Sequence, residues 1–174
     1  IHSSLRNQTD AAYALLSDHV DGSKRDLRIG AILGLGIAYA GSAHEEVNDL
    51  LMPILADAEQ PIEIAAFAAL ALGFVFVGTG NDAITEAIFG VLMEREEKDL
   101  SHTLTRFLPL ALGFLFLGKQ EAAESAVEAS KTLNPKIAQY TELTIDTLAY
   151  AGTGNVLKVQ ELLKICGEHL EDGK

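Results

Sequence analysis

The chain of 174 residues has no tryptophan, one cysteine, two methionines and four prolines, and only 6% of it is aromatic. A single thiol, Cys166, excludes an internal disulfide framework and fits a reducing compartment, so cytoplasm and nucleus are the expected locations. Cationic residues are scarce: 13 Lys and Arg stand against 25 Asp and Glu, a net charge of −12. That balance repels nucleic-acid phosphates and anionic lipid, so neither nucleic acid nor membrane is an expected partner, and a partner with a basic face is favoured. Alternating strand patterns and long linkers are also missing. The chain opens at Ile1 in mid-pattern, with no basic stretch leading into an apolar run, and reads as a piece of something longer. The uncharged run Ile64–Asn81 has the length of a membrane span. It is rich in Ala and Gly, lacks basic flanks and falls in a repeat register, which favours a packed helix instead.

What the sequence does have is apolar content, 48%, enough for a sizeable core, and an internal repeat. Gly36-Ile-Ala-Tyr-Ala-Gly41, Gly73-Phe-Val-Phe-Val-Gly78 and Gly113-Phe-Leu-Phe-Leu-Gly118 align, with a weaker copy at Leu148-Ala-Tyr-Ala-Gly152 that places Thr147 at the first glycine. The final glycines at 41, 78, 118 and 152 give steps of 37, 40 and 34, the period of helix-pair solenoids. Each unit predicts an apolar inner helix, roughly 25–40, 61–77, 101–117 and 136–151, then a glycine turn that caps it. An amphipathic, acidic outer helix follows, roughly 44–56, 82–95, 121–132 and 155–167. Asn81 and Asn155 are N-cap candidates, and Pro61 and Pro135 suit helix starts. Segment 4–20 reads as the outer helix of a preceding unit. The expected fold is an all-α solenoid of stacked antiparallel helix pairs in one domain, with units near 25–57, 61–95, 101–132 and 136–167.

No motif assembles an active site, so no catalytic residue, metal or cofactor is expected. Gly113 to Gln120 nearly matches a P-loop, but the intervening residues are bulky and apolar, and Gln120 replaces the magnesium-binding hydroxyl. Gly34-Leu-Gly36 begins a dinucleotide fingerprint that fails at Tyr39 and follows no strand. His44 to Asn48 lacks the second histidine of a zinc protease. Cys166 and His169 have ligand spacing but lack two partners, so Cys166 is expected to be buried as a small hydrophobe. The four tyrosines read as core. A surface remains. On helix 82–95, the spacing buries Ile84, Ala87, Ile88, Val91 and Leu92. It leaves Asp82, Ala83, Glu86, Gly90, Met93 and Glu94 outside. The neighbouring outer helices offer Glu45, Glu46, Asp49, Pro53 and Asp57 on one side and Glu121, Glu124, Ser125 and Glu128 on the other. Stacking would set these ridges side by side, as carboxylates around small or apolar residues.

The stretch Gly30-Ala-Ile-Leu-Gly-Leu-Gly-Ile-Ala-Tyr-Ala-Gly-Ser42 resembles a proteasome/cyclosome repeat. Arg106-Phe-Leu-Pro-Leu-Ala-Leu-Gly113 and Ala149-Tyr-Ala-Gly-Thr-Gly-Asn-Val-Leu-Lys-Val-Gln160 are similar to the versions in a non-ATPase subunit of the proteasome base. The resemblance implies a solenoid that closes into a toroid in the intact subunit. It implies a non-catalytic receptor and scaffold whose outer helices take ubiquitin, ubiquitin chains and the ubiquitin-like domains of shuttle factors. Other proteasome subunits, ATPases included, are the remaining partners it implies. The family's three acidic receptor positions fall here on Ala83, Gly90 and Glu94, of which only Glu94 is acidic. Asp82 and Glu86 stand close enough to compensate, and Asp49, Glu124 and Glu128 would extend the contact to a second ubiquitin.

Overall fold

The structure is a computed structural model that describes residues 10–171, with side chains described to residue 167. His2, the first part of segment 4–20, the side chain of His169 and the C-terminal residues 172–174 lie outside the described residues.

The described chain is all α. After α1 (Ala11–Leu16) and a 3₁₀ turn, inner helices α2 (Arg25–Ala38), α4 (Ile62–Val75), α7 (Phe107–Leu115) and α9 (Pro135–Ala149) alternate with outer ones. The outer helices are α3 (Glu45–Ala56), α5 (Asp82–Glu94), α8 (Glu124–Ser130) and α10 (Val156–Glu171). A four-residue helix α6 (Glu97–Leu100) and a 3₁₀ turn at Thr103–Arg106 lead into α7. The inner helices stack in chain order, and each outer helix leans on the inner helix of the following unit: α1 on α2, α3 on α4, α5 on α7 and α8 on α9. This is an α-solenoid.

Two backbone devices set the stacking distance. The first is close approach at glycine. A Cβ on Gly36 would sit 2.7 Å from the Ala71 Cα, and one on Gly73 would sit 2.9 Å from the Ala111 Cα. The helix-weakening glycines are therefore where two backbones nearly touch, and the facing residue is alanine. The second is a hydrogen-bond clamp between units. Gly41, Gly78 and Gly118 follow their inner helices in the left-handed region, at φ 72°, 68° and 71°. Their amides donate across to the Phe74, Phe114 and Leu148 carbonyls at 2.9, 2.8 and 3.1 Å. Two residues on, Ala43 and Gly80 donate to Val75 and Leu115 at 2.9 and 2.8 Å. The acceptors are C-terminal carbonyls of the next inner helix, among the groups a helix leaves unpaired. Repeat-equivalent rings stack along the same seam, Phe67 on Phe107 and Phe74 on Phe114, with centroids 5.4 and 5.1 Å apart in tilted geometry.

Side-chain caps define several helix starts. Asn81 accepts from the Ile84 amide (3.0 Å), Asn155 from Lys158 (3.1 Å) and Asn134 from Lys136 (3.0 Å). Pro135 occupies the first turn of α9, and Pro61 immediately precedes α4.

Four expectations need correction. The inner helix predicted over 101–117 begins only at Phe107. Pro109 has no N–H for a carbonyl one turn earlier, and Thr105 instead spends its hydroxyl on the Asp99 carbonyl (2.6 Å). The outer helix predicted over 121–132 starts as a 3₁₀ turn, Gln120–Ala123, and is helical only over Glu124–Ser130. Full enclosure holds for α4 and α7. By contrast α2 leaves Leu27 and Ile37 exposed, and α9 carries a polar face. Cys166 is exposed rather than buried, because no described element packs over that face of α10.

The glycine positions yield graded outcomes in urea denaturation. Gly36→Ala and Gly73→Ala force a backbone shift and should each destabilise by about 1–3 kcal/mol. Gly113→Ala should cost less, since its new methyl would fall on the movable Cδ1 tip of Leu148. Gly90→Ala should stabilise by up to about 1 kcal/mol, because nothing lies within 4 Å of the added carbon. Gln120, at φ 53°, occupies the left-handed slot that Gly80 and Gly154 fill elsewhere. Gln120→Gly should therefore stabilise by about 1 kcal/mol. Equal effects at all five positions would contradict the stacking account.

Candidate functional site

The outer helices present the acidic residues, and their sequence pattern explains why. On α5, Ile84, Ile88, Val91 and Leu92 are buried as the helical period requires, with Ala87 half-buried. Phe89 is buried too, which the pattern missed. It points sideways under the neighbouring groove instead of down into the inner layer. The opposite face carries Asp82, Ala83, Glu86, Met93 and Glu94, all exposed, with Gly90 half-buried among them. Met93 exposes 56% of its surface, unusual for so large an apolar side chain.

The carboxylates do not form one ridge. The helices are held apart by what they lean on, so the acids divide among successive grooves. Asp82 and Glu86 line a groove of about 360 Å³ between α5 and α8, floored by Phe89, Phe116 and Ala126 and walled by Ala122, Ser125 and Ala129. Glu94 faces the other way, into a cleft with Ala56, Ala58 and Val91 beside α3. Asp49 and Asp57 line a third, with Leu50, Pro53 and Asp21. Glu124 and Glu128 line a fourth, which also holds Lys131, Lys158, Glu142 and Glu161. Glu46 is exposed in the first turn of α3.

Their freedom also differs. Among the described residues, Asp82, Glu86, Glu94, Glu46, Asp49 and Glu124 have no ion-pair partner. Glu128 is committed to Lys131 at 2.6 Å. Asp57 is committed to its own turn: Gln60 Nε2 and the Glu59 amide both donate to it at 2.9 Å. The Gln60 hydrogen bond, then the Glu59 amide, hold its carboxyl below the usual range. Sequence spacing could not distinguish these two from the free acids, because it does not fix whether Lys131 turns toward Glu128 or how the chain bends after Asp57.

The remaining motif residues are structural. Gly113–Gln120 is the end of an inner helix, and its turn amide at Gly118 is engaged by Leu148 rather than free to cradle phosphate. Among the described residues no group of His, Cys, Asp and Glu could hold a metal ion, and no helix is long and apolar enough to cross a membrane. Tyr39 packs on His44, with centroids 4.6 Å apart, and its hydroxyl lacks a hydrogen bond of ordinary geometry. Tyr140, expected in the core, is 39% exposed.

The chain is similar to known proteins along its whole length. Residues 30–64 match the proteasome/cyclosome repeat family. The 26S proteasome regulatory subunit rpn-1 of Neurospora crassa is 40% identical over 177 residues, covering 100% of this chain and 20% of that protein. The 26S proteasome non-ATPase regulatory subunit 2 of Dictyostelium discoideum is 41% identical over 170 residues, covering 98% of this chain and 19% of the relative. Homolog B of that subunit in Arabidopsis thaliana is 52% identical over 173 residues, covering 99% and 19%. The chain thus spans about one fifth of the length of these relatives.

Burial, then the Asp10 carboxylate, push the Tyr39 hydroxyl from 10.0 up to about 12. The unfolded chain therefore releases this proton first. The stability this group contributes is whole below pH 10 and is lost as pH rises toward 12. Urea unfolding across that range should show a decline that Tyr39→Phe reduces; an identical decline in the variant would refute the assignment.

Proposed function

Because this chain belongs to the proteasome/cyclosome repeat family, as carried by non-ATPase regulatory subunits of the 26S proteasome, we propose that it is a receptor segment of that particle, binding ubiquitin and ubiquitin-like domains without covalent chemistry. The observation that carries this reading is the free face of α5. Among the described residues Asp82, Glu86 and Glu94 form no ion pair, and they flank Ala83, Gly90 and the exposed Met93. Such a face suits a mildly apolar patch with a basic rim, and the groove toward α8 gives that patch an apolar floor of Phe89 and Ala126. Asp49 and Glu124 lie on the flanking helices, where the next ubiquitin of a chain would meet them. Asp57 and Glu128, already satisfied internally, contribute little. The partner and the location in cytoplasm and nucleus follow from the family resemblance.

Exposed charge pairs contribute about 0.2–1 kcal/mol each, so a single ubiquitin should bind with a Kd in about the micromolar to sub-millimolar range and more weakly in salt. Chains would gain through avidity. A second reading, a scaffold that only holds neighbouring proteasome subunits, draws support from the exposed apolar side chains Val156, Leu157 and Leu163 on α10.

Titrating ubiquitin into isotope-labelled chain should move the amides of residues 82–94. If those amides stay fixed at millimolar ubiquitin, the scaffold reading prevails. Glu94→Arg should weaken binding several-fold without loss of helix. Gly90→Asp restores an acid where the family has one and has open space for it, so it should tighten binding. Unchanged affinity in both variants would remove this face of α5 from the contact.

A further inference from the structure

The edge of the solenoid formed by the starts of inner helices α7 and α9 has a character opposite to that of the outer face. Its groove, about 420 Å³, is lined by His102, Arg106, Lys136 and Tyr140 over Leu100 and Ile137, with no carboxylate in the lining. Every other groove described above has at least two acids in its wall. In a chain of net charge −12, the charged side chains of this lining are Arg106 and Lys136, and the nearest paired acids, Glu97 and Glu63, stand at its rim.

The groove also depends on one irregular unit. The step from Gly78 to Gly118 is the longest of the repeat, and this unit begins with α6 and a 3₁₀ turn instead of a continuous inner helix. That substitution supplies Leu100 and His102. Arg106 has no carboxylate partner among the described residues, and its guanidinium lies 5.5 Å from the Tyr140 ring centroid. This cation–π contact holds the guanidinium beside the ring while leaving its donors unsatisfied by the described protein groups. The carboxylates that reach the rim are spoken for: Glu97 by Lys136 at 2.5 Å, and Glu63 by His102 at 3.3 Å and by Arg25.

We propose that this groove is a docking site for a short acidic peptide segment bearing one aromatic or large aliphatic side chain. The carboxylates engage Arg106 and Lys136, the second exchanging its internal partner, and the apolar side chain settles on Leu100 and Ile137, both nearly buried. The apolar floor distinguishes this ligand from a bare phosphate. The charge of the whole chain distinguishes it from an extended polyanion, because only groups within about a Debye length of 8 Å feel the local cations rather than the acidic remainder.

The test is fluorescence anisotropy of the full chain with fluorescein-labelled Glu-Glu-Phe-Glu-Glu at about 0.15 M salt, with the Gln-Gln-Phe-Gln-Gln and Glu-Glu-Ala-Glu-Glu peptides and inorganic phosphate as competitors. The expected result is saturable binding, reduced about fivefold or more by Arg106→Gln and by Lys136→Gln, each variant keeping its helical circular dichroism. Amide shifts should fall on residues 100–106 and 136–140. The two control peptides and phosphate should compete poorly. The proposal is overturned by absence of saturable binding at about millimolar peptide. Affinity indifferent to both substitutions, equal competition by the alanine peptide or phosphate, or shifts confined to residues 82–94 would overturn it equally.

Discussion

The architecture depends on a joint made of backbone atoms. At three successive junctions a left-handed glycine, Gly41, Gly78 or Gly118, follows an inner helix and directs its amide at a C-terminal carbonyl of the next one. Beside it, a helical glycine lets the two backbones come within reach of each other. The joint needs glycine twice for separate reasons: once for the sign of φ, and once for the absence of a Cβ. That is why the Gly-x-x-x-x-Gly frame persists while the residues inside it range from Ile-Ala-Tyr-Ala to Phe-Leu-Phe-Leu.

Tight inner contact has a consequence on the outside. The inner helices are drawn together to the limit of backbone contact, while the outer helices meet one another less closely than the inner ones do. Grooves open between outer helices as a result, with floors of Phe89, Phe116 and Ala126 where the layers meet. Function in such a repeat resides in how individual units decorate the gaps. On the outer face the decoration is acidic; at the start of α7, where one unit departs from the pattern, it is basic.

Much of this was legible in the chain. Spacing of 37, 40 and 34 residues identified the solenoid, the caps at Asn81 and Asn155 were visible as residue types, and the buried stripe of α5 followed from helical period. What stayed hidden required a second segment. The glycine turn reads as a cap on its own helix, whereas its amide serves the next one, a relation between residues more than thirty apart. The shortening of α7 came from Pro109 acting one turn upstream. The acids on outer helices were correctly placed as exposed, but spacing could not show that they divide among separate grooves or that Asp57 and Glu128 are already satisfied. Tyr140 was assigned to the core on pattern, yet its ring serves as a plate for Arg106.

The joint has a direction. At every junction the donors come from the earlier unit and the acceptors from the later one, so two units meeting in reverse would bring donor against donor. Spatial order must therefore copy chain order. During synthesis, each finished turn presents amides whose partners are not made until the following helix emerges. A unit moved to another place in the array therefore keeps its joints only if it keeps its orientation.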